Sequence, residues 1–125
     1  MKLTATALGV AYALWAFAPT AAVAAEAKQN FILDNETGFE IKEVYVSPHR
    51  SNEWEEDVLG QDTLDDGSDV KIRFNRRTRT CRWDLKVVYA VDGTDAVWSN
   101  INLCEISKII IHYNKKNDKT TAEFE

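Results

Sequence analysis

The run TCRWDLKVVYAVDG, from Thr80 to Gly93, constrains this chain more than any other stretch. Cys81, Trp83, Leu85, Val87, Tyr89 and Val91 fall on one side of a two-residue period, and Arg82, Asp84, Lys86, Val88 and Ala90 on the other. A strand with one buried face satisfies that pattern, and a helix of about 3.6 residues per turn does not. Asp92-Gly93 follows as a tight-turn pair, so the next segment is expected to fold back as a hairpin.

The same signals recur along the chain. NFILDN begins at Asn30, EIKEVYVS ends at Pro48, and SDVKIRFN sets Val70, Ile72 and Phe74 opposite Lys71 and Arg73. TDAVWSN, ISKIIIHYN and TTAEFE complete the set. About seven short strands, with turn signals about every 8–12 residues, predict an all-β fold: an antiparallel two-layer β-sandwich, with a small β-barrel as the alternative.

The N-terminus has a different character. Lys2 precedes an apolar run, LGVAYALWAFA, too short to cross a bilayer, and small residues follow in TAAVAAEA. These are the three parts of a secretory signal peptide, with cleavage expected after Ala24 or Ala25. Residues 1–25 are read as signal peptide and 26–125 as one β-sandwich domain. The leader carries one lysine and no acid, so the mature part is more acidic than the formal charge of -5 of the whole chain. No later segment approaches the ~20 apolar residues of a membrane-spanning helix. Export to the periplasm or the medium is therefore expected, with no transmembrane segment after cleavage.

Both cysteines, Cys81 and Cys104, lie in the mature part, and an exported domain with two cysteines pairs them in an oxidising compartment. Closing that loop stabilises a small domain by roughly 3 kcal/mol. The rival roles, nucleophile or metal thiolate, lack a companion motif: there is no CxxC, and His49 and His112 stand apart in the sequence.

The residues NETGFEIKEVYVSPHRSNEWEEDVLGQDTLDDG, then CRWDL and NLC, resemble a family of small uncharacterised exported bacterial proteins. The shared features are a TG turn, a YVSP strand end, a W-x-x-D-x-LG loop, an L-x-x-G turn, a C-x-WDL strand and a closing LC, over most of Asn35 to Cys104. The resemblance implies a common fold and transfers no activity. Glu55 stands where the pattern has a glycine, and this loop is richer in acid.

Few residues offer chemistry. SPHRS sets His49 between Ser47 and Ser51, but a catalytic triad needs nucleophile, base and orienting acid to converge in space. Asp62, Asp65, Asp66 and Asp69 around Gly67 are hard-oxygen candidates for calcium, without EF-hand spacing, and are read foremost as a solvated turn. Trp54 is read as a plug anchoring its loop on the end of the sandwich, with a ligand or partner contact as the alternative. Trp83 is assigned to the core beside the disulfide, and Trp98 is left open. Asn35-Glu36-Thr37 matches a glycosylation sequon and is read as a turn.

Charge gives the remaining candidates. Pairing SDVKIRFN with TCRWDLKVVYA as a hairpin would put Lys71, Arg73, Arg82 and Lys86 on one outer face and Arg76, Arg77 and Arg79 in the connection. The acidic loop would then lie at the other end, making the molecule electrically polar. These features predict a non-enzymatic exported binding module that docks on a protein or an anionic envelope component, with no cofactor and no nucleic acid partner. A structural accessory without a ligand, a calcium-binding module and a small hydrolase are the alternatives.

Overall fold

The computed structural model describes residues 30–73 and 80–125. The signal-peptide reading, and Arg76, Arg77 and Arg79, lie outside the described residues. Seven strands follow one another: β1 (Phe31–Glu36), β2 (Ile41–Pro48), β3 (Asp69–Ile72), β4 (Arg82–Tyr89), β5 (Asp95–Asn102), β6 (Lys108–Asn114) and β7 (Lys119–Phe124). They form two sheets, ordered β3-β1-β6-β7 and β2-β4-β5, which face each other as a sandwich and do not close into a barrel. Every neighbouring pair is antiparallel except β1 and β6, which run parallel with Ile32 beside Lys108 and Glu36 beside His112.

Alternation builds the core. Phe31 and Leu33 of β1, Val44 and Val46 of β2, Trp83, Leu85, Val87 and Tyr89 of β4, and Ile109 and Ile111 of β6 are all buried between the sheets. Each such side chain contributes about 1.5–3 kcal/mol by leaving water. The alternation read from the sequence ends at Tyr89: Val91 is 70% exposed, because Ala90 to Gly93 already form the turn. Val88, on the nominally outer side, is buried as well, opposite the register shift between Ile41 and Glu43.

The expected hairpin between SDVKIRFN and TCRWDLKVVYA does not form. β4 is flanked on both sides by β2 and β5, so it has no free edge, and β3 pairs with β1 in the other sheet. The chain changes sheet between β3 and β4. Cys81 and Cys104 form a disulfide, with Cα atoms 5.2 Å apart, at the end of the sandwich where β4 begins and β6 follows.

The acidic segment after β2 covers that strand's open edge. Val58 N–H donates to the Val44 carbonyl at 2.8 Å, Val44 N–H donates to Asp57 Oδ1 at 2.9 Å, and Leu64 bridges Ile41. Leu59 and Leu64 drive into the core. Backbone groups that would otherwise template another strand are thereby satisfied.

Candidate functional site

The lack of a β3–β4 hairpin breaks up the basic face. Ile72 is buried, so Lys71 projects from the outside of the four-stranded sheet, whereas buried Trp83 turns Arg82 outward from the three-stranded sheet. These cations occupy opposite outer surfaces, and Arg73 lies just beyond β3. Lys86 is engaged locally, with Nζ 5.0 Å from the Tyr45 ring centre and 5.3 Å from that of Trp54. The expected electrical polarity is also diluted. Lys115, Lys116 and Lys119 stand in the β6–β7 hairpin at the end that carries the acidic turn, and Asp84 and Glu105 stand near the disulfide end.

Trp54 does not plug the end of the sandwich. It lies half-buried on the outer face of β2, 6.5 Å from Tyr45 between ring centres, and Lys86 joins the two rings. The plug is made by Leu59 and Leu64 instead. Trp98 packs partly buried against the core. In the acidic turn, Asp66 Oδ1 accepts from Gly38 N–H at 2.7 Å, the Asp65 carbonyl accepts from Ser68 N–H, and Asp69 lies opposite Asp34 in the sheet. Asp62 is exposed, and its N–H donates to the Leu59 carbonyl. No group of three His, Cys, Asp or Glu side chains poised to hold a metal occurs among the described residues.

The loop holding His49 contains a partnership that spacing could not reveal. His49 Nδ1 lies 2.9 Å from Asp84 Oδ1, the same oxygen that accepts from Asn100 N–H at 2.8 Å. Asn100 reaches it through a positive φ of 60°, at the register shift between Trp83 and Leu85. An imidazole oriented by a carboxylate is half of a hydrolytic device. The neighbouring hydroxyls are turned elsewhere: Ser47 and Ser51 both donate to the Glu53 carbonyl.

A concave feature lies at the other end of the sandwich. The turns after β1, β4 and β6 surround a cleft of about 570 Å³, lined by Phe39, Tyr89, Tyr113, Ala96, Asp92, Asp95, Asp118, Lys119 and neighbours. Three rings stand in its wall nearly at right angles to one another. Phe39 and Tyr89 meet at 78° with centres 6.1 Å apart, Phe39 and Tyr113 at 86° and 5.4 Å, and Tyr89 and Tyr113 at 75° and 6.3 Å.

Polar groups fix this wall. Tyr89 OH and Thr120 Oγ1 share a hydrogen bond of 2.7 Å, and Tyr113 OH donates to Asp118. Burial holds the Tyr89 hydroxyl above its ordinary pKa, with Asp92 adding to the rise against the hydrogen bonds of Thr120 and Thr37. Asp92 moves the other way: Thr94 N–H, and then the Thr94 hydroxyl, donate to its carboxylate and hold it below the usual range.

The floor of this end is tied by Asn35, which is fully buried. Its Nδ2 donates to the carbonyls of Phe39 at 2.8 Å and Leu64 at 2.9 Å, while its Oδ1 accepts from Thr37 N–H and Oγ1. A side chain so enclosed is a turn-builder and not a glycan acceptor in the folded chain. Sequence reading missed the cleft because Phe39, Tyr89 and Tyr113 come from three separate segments, each explicable as core or turn.

No protein-family model and no curated protein sequence matches the chain. Among solved structures, the fold is similar to the NMR structure of a protein from Eubacterium rectale, with a TM-score of 0.51 and 13% identity over 76% of this chain and 85% of that one. That likeness concerns the fold alone.

Proposed function

We propose that this chain is a non-catalytic, exported binding module whose ligand enters the aromatic-lined cleft between the turns after β1, β4 and β6. One observation carries the reading: a concavity of about 570 Å³ with three rings and three carboxylates in its lining. Aromatic surface beside converging polar groups in a concavity is a recurring make-up of small-molecule sites, and here the polar share is large. The leader at residues 1–25 and the Cys81–Cys104 disulfide support export. The likeness to small exported bacterial proteins in the CRWDL and LC motifs agrees with it.

A nuclear magnetic resonance titration tests the site with a panel of choline, N-acetylglucosamine and benzoate. Saturable shifts clustered on Phe39, Tyr89, Thr94 and Thr120, and abolished by Ala96→Trp, support the reading. Shifts confined to other surfaces, or absent for the whole panel, overturn it.

A further inference from the structure

Resting on that cleft being the ligand site, we infer that it receives an organic cation: an alkylated ammonium group on a short neutral stem. The wall has the geometry of a corner. Three ring planes at 75–86° to one another, with centres 5.4–6.3 Å apart, gather aromatic surface at one corner of the cleft, Phe39 and Tyr113 in front and the nearly buried Tyr89 behind them. A cation within about 6 Å of an aromatic centre is attracted by the ring quadrupole, and desolvation inside a cleft strengthens that attraction. Perpendicular rings also deny the flat platform on which a sugar ring would stack.

The carboxylates point the same way. Asp92, Asp95 and Asp118 line the cleft against one lysine, Lys119. Asp92 keeps its charge below the usual carboxylate range. Asp118, held at a φ of 58° in the β6–β7 turn, accepts the Tyr113 hydroxyl, which enriches that ring in electron density. The Asp95 carboxylate, exposed at the start of β5, has no side-chain hydrogen bond or ion pair among the described residues. An anionic ligand would meet two uncompensated negative charges, and a neutral one would leave them unused.

Lys86 shows the same chemistry elsewhere in the molecule, where Tyr45 and Trp54 hold an ammonium group supplied by the chain itself. At the cleft no side-chain cation lies over the rings among the contacts described.

The test compares choline with 3,3-dimethylbutan-1-ol, its neutral isostere of equal shape, in amide-resolved titrations of the whole chain. Choline is expected to bind at Phe39, Tyr89, Thr94 and Thr120 about tenfold more tightly than the isostere. Asp95→Asn, an exposed substitution that leaves the fold intact, should weaken choline about threefold and leave the isostere unchanged. Equal affinity for the two probes, or a response at the cleft to N-acetylglucosamine or benzoate but not to choline, overturns the cation and leaves the site standing. No response at the cleft to any probe removes both.

Discussion

The two ends of the sandwich are closed by different means. At the disulfide end the polar groups answer one another: Cys81 is bonded to Cys104, Asp84 holds both His49 and Asn100, and Trp83 Nε1 donates to the Thr80 carbonyl. At the cleft end, closure depends on one buried amide, Asn35, and three rings packed edge to face. The first arrangement leaves little for a ligand to satisfy. The second leaves an open volume with carboxylates at its rim. Rigidity can come from covalent linkage or from a saturated hydrogen-bond knot, and the cleft lies beside the second.

The comparison breaks most visibly through the disulfide. Cys81→Ser or Cys104→Ser should cost roughly 2–5 kcal/mol and lower the melting temperature by at least about 10 °C in calorimetry. Choline shifts at the cleft should nevertheless survive at low temperature, because the bond lies at the opposite end. A melting temperature within a degree or two of wild type would mean that the disulfide end does not depend on its bond.

Asn35→Ala comes next. It removes a fully buried amide, takes one of two donors from each of the Phe39 and Leu64 carbonyls and leaves Thr37 N–H without its side-chain acceptor, so a loss of about 2–3 kcal/mol is expected in urea titrations. Because Phe39 is carried on the same turn, cleft binding should weaken together with stability. Retained binding would detach the cleft from its floor.

Surface effects are smaller. His49→Ala removes one partially exposed pair with Asp84, worth under about 1 kcal/mol, and should leave cleft binding untouched. On the outer face of β1, the Asp34 carboxylate beside Glu36 holds the Glu36 carboxyl above its ordinary value. The folded state therefore binds that proton more tightly, and stability falls as pH rises from the ordinary carboxylate range through the raised value. Glu36→Gln should raise the melting temperature slightly at neutral pH and leave it unchanged at acid pH, where wild-type Glu36 is already protonated. Equal effects at both pH values would assign the gain to something other than charge. Smallest of all, Lys71→Glu and Arg82→Glu should each change retention on heparin only slightly, because they face opposite sides of the sandwich.

The strands were legible because each writes its own period locally: FILDN, WDLKVVY and KIIIHY announce a buried face without reference to any partner. Sheet membership was not. Alternation says which side chains are inward but not which strand lies alongside, so Lys71 and Arg82 were joined on one hairpin when they belong to different sheets. The disulfide needed only two cysteines and an expectation of export. His49–Asp84 and the Phe39–Tyr89–Tyr113 corner each join residues far apart in sequence, and a period carries no information at that range. Trp54 was read as a plug on the end of the sandwich and lies instead beside Tyr45 on the outer face of β2, since Lys86 could be counted as a charge but not located as a neighbour.

The parallel pairing of β1 with β6 also sets an order of events for the chain as it is made. β2, β4 and β5 come from the middle of the sequence and can assemble before the C-terminus exists, whereas β1 pairs Ile32 with Lys108 and must wait for almost the whole chain. Long-range pairings of this kind are slow to form. The three-stranded sheet should therefore ripen first, with β1 held only by short β3 as a provisional neighbour. Substitutions in β6 should slow folding less than equally destabilising ones in β4. The arrival of β6 thus decides when β1 is finally committed.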